Sequence, residues 1–274
     1  MTSEHSMLNT ATTHTRASTF AARLMPVLGV CVPLVLAACK SEPKLTPPPA
    51  VVAPYDAARG EALWAVAPLR NESGTTHADA LAISDQLVAA AEEVQGVRCV
   101  PLNRSIEAMR ALKMAQVQTP EDAMLLAETL GAQGILIGSI TAYDPYTPSI
   151  GLSVALAIRP GSLQPSGETR GIDSRAVTSQ TRDNATSSNF GGRPASATSQ
   201  NYDGKNHQVL ADVKAYATGR HEEPTALGWQ RYVKSMELFT EFATHDVVRR
   251  LIEQERVRLG KPALAPEAGG TSPR

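Results

Sequence analysis

Few residues in this chain stand at spacings that support chemistry. Glu241 and His245 are four apart in a helical pattern, so one helix face could offer both to a metal ion. Two ligands do not complete a site. No HExxH or comparable pattern occurs among His77, His207, His221 and His245, and a solvated helix face accounts for the pair. Arg249, Arg250, Arg256 and Arg258 follow and read as solvated cations that complement a helix C-terminus. Ser73, in Asn71-Glu72-Ser73-Gly74, has no motif-defined base beside it, so acyl transfer lacks its second member. "GAQGILIG" at 131–138 precedes its strand, whereas a dinucleotide loop follows a strand and opens a helix. Cys99, in "GVRCVPL", reads as a small core residue. The sequence thus calls for no catalytic residue, no metal site and no cofactor, and the expectation is a protein that is not an enzyme.

Cys39 is different. It ends the apolar run "LMPVLGVCVPLVLAA", which follows Arg16 and Arg23. These 15 residues fall short of the ~20 that a helix needs to span a bilayer, and Pro26 and Pro33 interrupt them. A basic flank, a short apolar core and small closing residues describe a secretory signal. The end, Leu36-Ala37-Ala38-Cys39, resembles the bacterial lipobox. That resemblance implies a diacylglyceryl group on the Cys39 sulfur, cleavage between Ala38 and Cys39, and acylation of the new amine. Several acyl chains, at ~0.8 kcal/mol per buried methylene, hold a protein on a membrane almost permanently. Lys40 stands where an inner-membrane retention aspartate would be, which implies the outer membrane, facing the periplasm. The segment ahead of the run is long for such a signal, and Met7 is an alternative start.

The 274 residues carry a formal charge of −1. Removing residues 1–38 takes away Glu4, Arg16 and Arg23, leaving 24 basic and 26 acidic side chains, a charge of −2. No basic field of the kind that nucleic-acid binding needs is present. Hydrophobic residues make up 42% but aromatics only 4%, so the core must be aliphatic. The three cysteines build neither a disulfide framework nor a CxxC knuckle.

The elements divide the chain. Residues 1–38 are the signal. Residues 39–61, containing "SEPKLTPPPAVVAP", are a proline-rich tether that runs extended at ~3 Å per residue. Residues 62–158 are an α/β domain. Leu63–Leu69 reads as a buried strand, followed by a helix capped at Thr76 with Ala80, Ile83, Leu87, Ala90 and Val94 on one face. Gly96 ends it, and Val97–Pro101 is a second strand. "NRSIEAMRALKM", capped at Asn103, and "TPEDAMLLAETLGAQG", with Thr119 at the cap and Pro120 at the first helical position, are the next helices. "GILIGSITAY" and the strictly alternating "IGLSVALAI" form a hairpin around "DPYTPS". The order predicts an α/β sandwich with a mixed sheet packed by helices. Residues 159–206 nearly lack large apolar groups and read as a disordered polar insertion, with a short strand at Arg175–Gln180. Residues 207–260 are C-terminal helices, including one long helix after Pro224 whose stripe is Trp229, Tyr232, Met236, Phe239, Ala243, Val247 and Leu251. Residues 261–274 read as a disordered tail.

In order, "WAVAPLRNESG", "VRCVPLNRSIEAM" and "AETLGAQGILIGSI" resemble the envelope lipoprotein superfamily with the anticodon-binding-like α/β fold, which includes the TolB N-terminal domain, LpoB, FlgO and CsgG. The resemblance covers about Leu63–Ile158. It implies a binding, assembly or regulatory factor that grips another envelope protein. A homo-oligomer, in the manner of a ring-forming secretion component, is one alternative that it leaves open. A cryptic enzyme of envelope polymers is the other. "DSRAVTSQTRDNATSSNFGG" lacks the apolar alternation of a lipid-facing strand, which argues against a pore. Arg70, Asn71, Glu72, Ser73 and Gly74, at the carboxyl end of the first strand, are the candidate partner-binding loop, because ligands of open α/β sheets favour such edges.

Overall fold

A computed structural model describes residues 50–163, 194–220, 226–262 and 264. They belong to one compact unit, Leu45–Arg274. Its strands are β1 (Ala62–Val66), β2 (Arg70–Asn71), β3 (Val97–Cys99), β4 (Gly134–Asp144), β5 (Ser149–Ile158) and β6 (Ser196–Asp203). Its helices are α1 (Ala80–Glu92), α2 (Leu102–Ala111), α3 (Pro120–Thr129), α4 (His207–Ala217), α5 (Arg231–Lys234) and α6 (Met236–Arg258), with 3-10 turns at Ala57–Arg59 and Gly228–Gln230. Among the described residues, no helix is long and apolar enough to cross a membrane.

The sheet order is β3-β1-β4-β5-β6, with β2 beside β4. The pairings β1/β3, β1/β4 and β2/β4 are parallel, while β4/β5 and β5/β6 are antiparallel. This is the expected mixed sheet. The alternation in β5 divides the core. Ile150, Leu152, Val154 and Leu156 join Trp64, Leu136 and Ile140 under α1 and α6, packed by Leu87, Phe239, Phe242 and Leu251. The opposite face is smaller. There Ala65, Ala67, Ile135 and Ala157 meet Met109, Ala123, Leu126 and Ala127 of α2 and α3.

Local signals set most boundaries. Thr119 and Asp122 form a capping box around Pro120, as its sequence predicts. Gly131, at φ +67°, ends α3 in a left-handed conformation that L side chains avoid, whereas α1 already ends at Glu92 and Gly96, at φ +87°, serves the Val94–Val97 turn into β3. Two caps differ from expectation. Asp79, not Thr76, caps α1, its carboxylate accepting from the Leu81 and Ala82 amides. At α2, Pro101 occupies the cap and Asn103 falls in the first turn, because the helix begins at Leu102.

Three larger expectations change. The tether ends sooner than residue 61. Val51 and Ala53 are buried, Gln95 N–H donates to Val51 O, and Ala53 N–H donates to Gln95 O. Tyr55 sets its ring edge-on to Trp64 at 6.2 Å. The polar stretch 159–206 closes on β6, which pairs with β5 from Leu156↔Ser196 to Ser149↔Asp203. Its polar side chains fit there because edge-strand main-chain bonds need no large apolar groups; the strand expected at Arg175–Gln180 lies outside the described residues. The long C-terminal helix breaks at Ser235, which leaves helical backbone at φ −108°, ψ 120° and caps α6 through the Leu238 amide. Tyr232, Phe239, Ala243, Val247 and Leu251 keep the expected buried stripe, whereas Trp229 before the break and Met236 just after it are only partly buried.

Candidate partner-binding loop

The residues Arg70–Gly74 leave the sheet from a fixed base. Leu69 is buried, and its N–H donates to Ser84 Oγ at 2.8 Å, while that hydroxyl donates to Ala80 O at 2.6 Å. Arg70 and Asn71 lie in register with Ser139 and Ile140 as β2, and Glu72 N–H donates to Ile140 O at 2.9 Å. Above that base Asn71 is a hub. Its Oδ1 accepts from Ser73 N–H at 3.1 Å and Ser73 Oγ–H at 2.6 Å. Its Nδ2 donates to Thr75 O at 2.8 Å and Ala78 O at 3.4 Å. Gly74, at φ +75°, supplies the left-handed turn. Arg70 and Glu72 pair at 2.8 Å with both side chains about half exposed, a contact worth under about 1 kcal/mol in solvent. The structure thus brings all five expected loop residues together in one exposed, internally bonded turn.

A groove of about 300 Å³ opens beside this turn, lined by Arg70, Pro68, Gln118, Thr119, Ser139 and Ser153 among others. It exists because α2 and α3 stop short of the far strands. Registers place Ile137–Ala155–Ala197 and Ser139–Ser153–Ser199 in rows across β4, β5 and β6 on this face. Apart from Ile137 these side chains are small, and among the described residues no helix packs above them. The end of α3 at the rim is already closed, since Asp122 Oδ2 accepts from the Gln118 and Thr119 amides. Those amide bonds hold the Asp122 carboxyl below its ordinary range. Among the described residues, no His, Cys, Asp or Glu lines the groove. What it offers is a guanidinium, hydroxyls and a small-residue floor, a surface suited to shape and hydrogen bonding.

The other chemistry-bearing residues lie elsewhere. Cys39 and Ala38 are outside the described residues, as is His221. Cys99 is buried, and burial, then the Glu92 charge, push its thiol up to about 12. The Glu241–His245 pair is not a solvated face. Glu241 Oε1 accepts from Tyr216 Oη–H at 2.9 Å, while His245 is buried with Nδ1 3.1 Å from Glu93 Oε2. Arg220 reaches the same Glu93 oxygen at 3.3 Å and lies 4.0 Å over the Tyr216 ring. The His245 hydrogen bond comes first among the causes that lower the Glu93 carboxyl.

The arginines of α6 are not simply solvated either. Arg249 and Arg250 converge on the buried Asp246 at 2.7 and 2.6 Å, and Tyr202 Oη–H donates to it at 2.8 Å. Arg258 holds Glu255, itself fully buried, at 2.6 Å, with Tyr55 Oη–H at 3.3 Å. The sequence reading missed both acids. Glu255 was legible: it continues the spacing 243, 247, 251 along the buried stripe. Asp246 adjoins Val247 and precedes two arginines at i+3 and i+4, the spacing of helical ion pairs.

No protein-family model matches the sequence, and no curated protein matches it. Solved structures resemble parts of the chain. The LpoB C-terminal domain from Salmonella enterica is 18% identical, with a TM-score of 0.31 over 39% of this chain and 74% of that one. Lipoprotein GNA1162 from Neisseria meningitidis is 16% identical, with a TM-score of 0.34 over 52% and 82%. The hypothetical protein CT253 from Chlamydia trachomatis is 12% identical, with a TM-score of 0.37 over 72% and 99%.

Proposed function

We propose that this chain is a lipid-anchored protein of the bacterial envelope whose body binds another envelope component without catalysing a reaction. The signal-like run ending in Leu36-Ala37-Ala38-Cys39 supports the anchor, and Lys40 supports the outer membrane, facing the periplasm. The observation that carries the binding role is the Asn71-centred turn standing over a groove that, among the described residues, is uncovered and has no acid, histidine or thiol in its lining. A loop on a rigid sheet, already bonded in one conformation, loses little entropy when a partner closes on it. Arg70 and the serine hydroxyls would fix orientation, and the floor formed by Ile137, Ala155 and Ala197 would take the partner's apolar contact.

The test is a photo-crosslinking amino acid placed at Glu72 in intact cells. The account expects one discrete adduct in the envelope fraction, lost when Asn71→Ala loosens the turn or Ser153→Arg fills the groove. An adduct unchanged by both substitutions would contradict the assignment. An equal crosslinker at Glu107, on the exposed surface of α2, provides the comparison and is expected to give no such adduct.

A further inference from the structure

At the opposite end of the sheet, where β1 and β4 begin and β5 ends, a second cleft of about 310 Å³ lies between the chain at Tyr55–Gly60 and the turn at Arg159–Leu163. Its charges are unusually free. Arg159 is partly buried and has no carboxylate partner among the described residues. Among the described residues Arg59 has only Asp56 Oδ2, at 3.9 Å, while Asp56 Oδ1 accepts from the Ala58 amide. The Gly161 and Leu163 amides donate to no acceptor among the described residues. The turn that carries them is nevertheless held. Ser162 Oγ–H donates to Arg159 O and Gln133 O, Ser162 N–H donates to Arg159 O, and Arg258 Nη2–H donates to Leu163 O. Leu163 sits at φ +51°, uncommon for a non-glycine residue, with its side chain buried. Gly60 and Gly161 form the walls at positive φ, and a Cβ at either would meet nothing within 4 Å, so the space between them is open.

Two guanidinium groups with free backbone amides at a rigid turn form a donor set for a tetrahedral oxyanion. Phosphate oxygens accept from arginine in pairs and from successive amides in a concave turn. We infer that this cleft binds the phosphate oxyanion of a phosphate ester. One source is a phospholipid headgroup. The Tyr55 wall directly follows the segment that leads to Cys39, and residues 40–49 span only about 30 Å when extended. The other source is a soluble phosphate ester. The oxyanion assignment rests on the cleft alone, and only its lipid source rests on the anchor proposed above.

Among the described residues the buried apolar core runs from Val51 to Ile252, with Leu264 packed against it, so the chain starting at residue 39, with Cys39→Ser, retains it. In that chain, labelled with nitrogen-15, glycerol 3-phosphate is expected to shift the Gly161 and Leu163 amide resonances saturably. Arg159→Ala should weaken that binding about tenfold or more, Arg159→Lys less, and Arg104→Ala on α2 not at all. Vesicles of phosphatidylcholine with phosphatidylglycerol should float the chain, whereas phosphatidylcholine alone should not. Since the formal charge from residue 39 is −2, bulk attraction to an anionic bilayer does not account for flotation. Shifts without flotation would assign a soluble ester, and flotation lost in Arg59→Ala/Arg159→Ala would assign the headgroup. Neither saturable shifts nor phosphatidylglycerol-dependent flotation, or binding unchanged in a double variant whose other resonances stay in place, would overturn the inference.

Discussion

The two faces of one sheet are built on different principles. Under α1 and α6 the sheet presents Trp64, Leu136, Ile140, Ile150, Leu152 and Leu156, all fully buried. The helix covering them carries two buried carboxylates, Asp246 and Glu255, each tied to arginines and to a tyrosine from elsewhere in the chain. Tyr202 joins α6 to the edge strand β6, and Tyr55 joins it to the segment that enters the body. The opposite face is mostly alanine and serine, with Ile135 and Ile137 as its large side chains, and among the described residues its two helices cover only part of it. One face fixes where the strands and the entering segment sit, and the other is left open for contact. The comparison shows that packing on one side lets a protein leave the other side small and polar without losing its fold.

Substitutions can break that contrast. The largest effect is expected on the packed face. Asp246→Ala leaves two guanidinium groups and a tyrosine hydroxyl without their shared acceptor, and unfolding stability should fall by about 3–5 kcal/mol in urea titration. The same carboxyl gives a pH dependence. Burial pushes Asp246 up, but hydrogen bonds from Arg250 and Arg249 outweigh it, and the group ends below its ordinary range. A carboxyl depressed in the folded state contributes stability above its unfolded pKa, roughly 3.9. That contribution is lost as pH falls through the folded value. Asp246→Asn should therefore flatten the acid limb below about pH 4, and an unchanged limb would count against the ion pair.

Next comes Gly138→Ala, between the two faces. A Cβ there would stand 2.2 Å from the Ser153 carbonyl oxygen. That atom is backbone, so strands β4 and β5 must shift, at about 1–3 kcal/mol by thermal unfolding. Asn71→Ala, on the exposed turn, should cost about 1 kcal/mol or less while exposing the Ser73 amide to faster hydrogen exchange. Ser199→Ala, on the open face, should change stability by less than about 0.5 kcal/mol. If Ser199→Ala proved as damaging as Asp246→Ala, the two faces would not differ as described.

Much of this was legible in the sequence because periodicity and caps are local. The alternation Ile150, Leu152, Val154, Leu156 named one face of β5, and Thr119-Pro120 named the start of α3. Arg70–Gly74 could be placed at a strand end from the run of apolar residues before it. What stayed hidden depends on distant partners. Ser196–Asp203 has a polar composition, and only the ladder to β5 makes it a strand. Glu241 and His245 looked like a solvated pair because Tyr216 and Glu93, which take their hydrogen bonds, lie 25 and 152 residues away along the chain. The groove beside Arg70 follows from how far α3 reaches across the sheet, a tertiary quantity that no window of sequence carries. The Asn71 hub was half visible, since Asn-x-Ser-Gly is turn chemistry, but its bond to Ala78 O required the start of α1 to fold back.

The proposed anchoring depends on the thiol at position 39. Cells expressing the chain would be fed an alkyne fatty acid, and the protein would be isolated, coupled to a fluorophore and followed through membrane fractionation. A labelled wild type in the envelope fraction and an unlabelled Cys39→Ser variant released from it are the predicted result. A wild type that takes up no fatty acid, or a serine variant labelled and retained as strongly as the wild type, would contradict it.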